Sequence, residues 1–74
     1  MDKELVKKFA EKYEDVKELF EKHQNMEKEI EELTRKAYLT QEEEFKVKQL
    51  KKEKLYIKEK ICKLIKDYEG IDVE

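Results

Sequence analysis

From Leu5 onward the apolar positions recur in heptads. Phe9, Val16, Ile30 and Ala37 fall on one seam position, and Leu5, Leu19, Met26 and Leu33 on the other, with Lys12 and His23 as polar interruptions. The pattern resumes further on: Val47, Ile61 and Tyr68 share one position, Leu50, Ile57, Leu64 and Ile71 the other, and Lys54 departs from it. A recurrence of about 3.5 residues over several heptads is the signal of a coiled-coil helix and not of a strand. The two registers do not join, because continuing the first would put Glu44 and Lys51 on the seam. The chain must reset between them, and Thr40 followed three residues later by Glu43 supplies a capping box for a new helix. This predicts one domain over residues 1–74, with a helix over 3–37, a turn over 38–40, a second helix over 41–69 stopped by Gly70, and a tail over 70–74.

A connection this short favours antiparallel neighbours. Charge supports the same arrangement: residues 11–44 carry twelve acids and six bases, a net of −6, whereas residues 46–66 carry nine lysines and two acids, a net of +7. The expected fold class is all-α, an antiparallel two-helix coiled-coil hairpin. A register centred on Thr40 pairs Leu33 with Val47, Ile30 with Leu50, His23 with Ile57, Leu19 with Ile61, Val16 with Leu64 and Phe9 with Ile71. Lys54 then meets Met26, and Lys12 meets Tyr68. A competing register would set His23 directly against Lys54.

One seam is a thin core for 74 residues. A second apolar stripe is left over, since Val6, Tyr13 and Phe20 recur every seven residues beside the first seam, and Leu55 and Cys62 do so away from the second, with Ile65 nearby. A widened apolar face usually has a second neighbour. The stripe Val6, Tyr13, Phe20, Leu55, Cys62 and Ile65 is therefore the candidate interaction surface, and a homodimer forming a four-helix bundle, or a helical protein partner, is the expected occupant. The plainer alternative is that these side chains only broaden the contact within the chain.

Composition narrows the chemistry. Charged residues make up 51% and apolar residues 38%, yet the net charge is only −2, and there is no Pro and a single Gly. Low net charge and strong periodicity argue against disorder. The apolar runs are far too short for a membrane span of about 20 residues, and residues 1–8 lead into no signal-peptide stretch, so a soluble, cytoplasmic chain is expected. One Cys and one His cannot close a tetrahedral zinc site, and Cys62 alone cannot form an intrachain disulfide. No Ser, Asp or second His stands within a helical turn of His23 to build an acid/base or nucleophilic pair. His23 reads as a packed, hydrogen-bonded seam residue or a weak pH-sensitive element, and Cys62 as a small apolar filler. We therefore expect no enzyme, no cofactor and no small-molecule substrate. Lys51, Lys52 and Lys58 form the alternative basic surface, for nucleic acid. Their scatter around the helix and the sequence pI of about 5.6 make that partner the lesser expectation.

Two segments carry a resemblance. Leu19-Phe20-Glu21-Lys22-His23, continuing to Glu29-Ile30, and Leu50-Lys51-Lys52-Glu53-Lys54-Leu55-Tyr56-Ile57-Lys58-Glu59-Lys60-Ile61 together resemble the small bacterial YdcH-like family, over roughly residues 16–66. That family has a Leu-Phe-acid-Lys-His run in its first half and a Lys-Lys-x-Lys-Leu-x-Leu-Lys-Asp-Glu-Ile run in its second. The resemblance implies a cytoplasmic bacterial helical hairpin of unknown function with no catalytic residues to carry over. Tyr13-Glu14 stands where relatives commonly show an Asn-Pro break, which predicts an unbroken first helix here, and Glu59-Lys60 replaces the usual Asp-Glu.

Overall fold

A computed structural model describes residues 2–73; Met1 and Glu74, the ends of the expected domain and tail, lie outside them. Three helices follow in order: α1 (Lys3–Lys12), α2 (Glu14–Thr34) and α3 (Gln41–Glu69), with no strand among the described residues. Local chemistry sets most of their ends. The Asp2 carboxylate accepts the Leu5 N–H at 3.2 Å and caps α1. Thr40 and Glu43 form the expected reciprocal capping box on α3. Gly70, at φ 70°, takes the left-handed conformation that ends α3 where the sequence predicts it.

The expected helix over 3–37 is two helices, so the fold has three where the heptads predict two. Tyr13 separates them in an extended conformation, φ −122° and ψ 123°. The interruption is one residue long: the Tyr13 N–H still donates to Phe9 O at 2.8 Å, and its carbonyl accepts the Lys17 N–H at 3.0 Å. Beyond it α1 doubles back along α2. Lys3 Nζ lies 2.6 Å from Glu27 Oε2, whereas an unbroken helix would hold those residues roughly 36 Å apart. The physical reason is non-local burial. Val6 and Ala10, 0% and 5% exposed, join Val16, Phe20, Ile57, Ile61, Ile65 and Val73 in one core. At about 1.5–3 kcal/mol for each large apolar side chain, that burial outweighs the few backbone hydrogen bonds lost at one break.

The tail is part of the same core. After Gly70 the chain turns back, the Asp2 N–H donates to Val73 O at 2.9 Å, and Val73 is 2% exposed. At the other end, α2 stops at Thr34 and not at residue 37. The Thr34 hydroxyl donates back to Ile30 O at 2.8 Å, and the chain uses residues 35–40 to reverse, leaving Ala37 and Tyr38 exposed. Lys36 spans this turn to the Glu43 carboxylate.

α2 and α3 run antiparallel. Tyr68 meets Tyr13 and Asp15, and Lys54 meets Glu27, each within a few residues of the register centred on Thr40. Near the turn the longer reach of Lys46 carries it back to Glu29 at 3.2 Å. The long dimension of the molecule, 43 Å, is that of α3 alone at about 1.5 Å per residue. The core gathers at the end where α1 is folded in; toward the turn only Val47 and Leu50 are buried.

Candidate functional site

Polar chemistry concentrates where the N-terminus of α1, the middle of α2 and the middle of α3 meet. Glu27 stands at that junction, with Lys3 from α1 at 2.6 Å and Lys54 from α3 at 3.5 Å. One turn earlier on α2, His23 is 2% exposed, and its Nδ1 lies 3.7 Å from Glu27 Oε1. Nδ1 has no hydrogen-bond partner, so the packed position expected from the sequence is present without the expected hydrogen bond at that atom. Burial lowers the His23 pKa from its usual value; Glu27 opposes that shift, and Lys54, Lys3 and Lys58 reinforce it. Burial alone would raise the Glu27 carboxyl, but the Lys3 ammonium, with help from Lys54, holds it below the usual carboxylate range. The junction is thus a carboxylate shared between two lysines above a neutral imidazole.

A second polar cluster ties the α1–α2 joint to the end of α3. The Tyr13 and Tyr68 rings stack at 4.2 Å between centroids and 10° between planes. Lys12 Nζ lies 2.7 Å from Glu69 Oε1, to which the Tyr13 hydroxyl also donates at 3.1 Å. The Tyr68 hydroxyl donates to Asp15 Oδ2 at 2.5 Å, a bond that holds the Tyr68 pKa above its usual value.

The structure divides the candidate interaction surface. Val6, Phe20 and Ile65 are in the core, 0%, 6% and 0% exposed, because α1 covers the stripe that the heptads left without a neighbour. Their expected availability to a partner is corrected accordingly. Tyr13 is half-buried against Tyr68, and Cys62 is half-buried against the core. Leu55 alone of the six is open, at 54% exposure. It lines a groove of about 400 Å³ with His23, Lys51, Lys54 and Lys58. Of the alternative basic surface, Lys51 and Lys58 belong to this groove, whereas Lys52 is exposed and does not line it. Phe45 and Tyr56 are further exposed apolar side chains of α3. Both fall outside the heptad seam, which is the only signal the sequence offered for them.

No helix among the described residues is long and apolar enough to cross a membrane. A family model described as "Protein of unknown function (DUF465)" matches residues 16–65, from the start of α2 to near the end of α3, and with it the two segments that meet at His23, Lys54 and Leu55. No curated protein and no solved structure matches the chain.

Proposed function

The chain belongs to the DUF465 family of proteins of unknown function, with which its YdcH-like runs agree, and from that premise we propose that it is a non-enzymatic interaction module that docks a helical protein partner along the Leu55 face of α3. One observation carries this reading. Leu55 is more than half exposed on a helix whose seam residues Val47, Leu50, Ile57 and Ile61 are buried, and it stands in a groove with lysines on both sides. An apolar anchor within a charged rim is the usual anatomy of a helix-binding groove. Lys51 and Lys58 stand about two turns apart on either side of Leu55, so the fitting partner is acidic, with one apolar side chain for Leu55. Two copies joined through this face by a two-fold axis would oppose lysine to lysine, which disfavours the face for self-association.

The test is affinity capture from nuclease-treated cell extract, comparing the native chain with Leu55→Asp, both checked for helicity. The reading expects a protein retained by the native chain, lost with Leu55→Asp and weakened by salt. Identical retention by both baits sinks it. Binding seen only in untreated extract, and restored to the treated extract by added RNA or DNA, would assign the lysines to nucleic acid instead.

A further inference from the structure

The break at Tyr13 joins two segments that the sequence itself writes as one helix. Leu5 and Phe9 share the heptad of Val16 and Leu19, and neither Pro nor Gly stands near residue 13. No side chain caps the start of α2; the Val16 N–H turns instead to the carboxylate of its neighbour Asp15 at 2.9 Å. A continuous helix would join the N–H groups of Glu14, Asp15 and Val16 to the carbonyls of Ala10, Glu11 and Lys12. The hydrogen bonds already made at Tyr13, to Phe9 and from Lys17, are those such a helix would keep. Straightening the joint therefore gains backbone bonds locally, and its opposition is tertiary: Val6 and Ala10 leave the core, and the Lys3–Glu27 and Lys12–Glu69 pairs part.

A second copy of the chain can restore every one of those contacts. α1 lies antiparallel to α2 in the closed chain. Two opened copies related by a two-fold axis at Tyr13 set their straight α1–α2 helices side by side, each α1 resting on the other copy's α2. Short joints between an element and its docking site are the usual origin of such exchange. We infer that Tyr13 is a hinge through which two copies of this chain exchange α1, forming a dimer whose central pair of helices is flanked by the two α3 helices. This inference does not rest on the Leu55 face, which stays outside the exchanged contact.

Two substitutions bias the hinge in opposite directions. Glu14 is the first residue of α2, where Pro is well tolerated, and the φ and ψ of Tyr13 are those that a following Pro imposes. Glu14→Pro thus keeps the break and forbids the straight helix. Tyr13→Ala removes the Tyr68 stack and inserts the best helix former. Sedimentation equilibrium should place the dimerisation midpoint of Tyr13→Ala at least about tenfold below that of the native chain, and that of Glu14→Pro at least about tenfold above it. On native protein, ¹⁴N- and ¹⁵N-labelled chains are mixed, held at about 1 mM, where even a weak association of about 4 kcal/mol is populated, and joined by a zero-length carbodiimide cross-linker. Exchange requires mixed-label Lys3–Glu27 and Lys12–Glu69 cross-links in the dimer band. Dimers showing only same-label links at those pairs, or monomers alone for both the native chain and Tyr13→Ala at that concentration, overturn the inference.

Discussion

Phe20 gives the most direct test of whether α1 is folded in. At 6% exposure it belongs to the core cluster that also holds Val6 and Ala10 of α1 and Ile65 of α3. Burying a Phe side chain removes roughly 150–250 Å² from water. At about 25 cal/mol per Å² this is worth ~4–6 kcal/mol, less the share an alanine methyl keeps, and truncations of this kind cost about 3–5 kcal/mol. Were residues 3–37 one straight helix, Phe20 would face solvent and Phe20→Ala would shift stability by no more than ~0.5 kcal/mol. A chain of this size has a total stability of only ~4–11 kcal/mol, so Phe20→Ala falls near the edge of folding. Phe20→Leu, at about 1–2 kcal/mol, keeps the comparison measurable. Urea titration followed by circular dichroism, at one fixed protein concentration, gives both values by linear extrapolation. Losses below ~0.5 kcal/mol for both variants would refute the packing of α1 over Phe20.

His23 is held neutral, with its folded pKa below the unfolded value of about 6.5. Its contribution to stability is therefore complete above that pH and is lost as pH falls toward the lower folded value. Thermal melts should show stability declining from pH 7 to 5, and His23→Leu should flatten that decline; an unchanged slope in the variant would clear His23 of the effect. Thr40→Ala removes one half of the α3 capping box and should cost about 1 kcal/mol by urea titration, with Thr40→Ser recovering most of it. Gly70→Ala meets no atom within 4 Å of the added Cβ, so its cost of about 1–2 kcal/mol arises from the left-handed backbone alone. A neutral result there would mean that the end of α3 can refold into another conformation.

What could be read from the sequence follows the range of the interactions responsible. The start of α3 at Thr40 and its stop at Gly70 depend on residues within four positions, and both are legible. The heptads also expose Val6 and Phe20 as a stripe in want of a neighbour. They do not reveal that the neighbour is the chain's own first turns, because the break at Tyr13 has no local signature. The helix-favouring residues on either side continue the same pattern, and the break is decided by Val6 and Ala10 closing over Phe20, ten or more positions on, and over Ile61 and Ile65, more than fifty positions on. The same non-locality separates the six candidate interaction residues. Spacing puts them on one stripe, while the fold buries Val6, Phe20 and Ile65 and leaves Leu55 open. Glu27 has no signal in the sequence for a related reason: a glutamate among many acquires a role only when Lys3 and Lys54 arrive from opposite directions.

The face-to-face pair of phenol rings at residues 13 and 68 gives the molecule a built-in optical gauge. The protein lacks tryptophan and has four tyrosines, so two of the chromophores that govern its near-ultraviolet absorption and emission are stacked across the joint, with their hydroxyls tethered to carboxylates. Any swing of the N-terminal arm must part or reorient these rings, so unlabelled protein would report the movement through its own tyrosine spectrum.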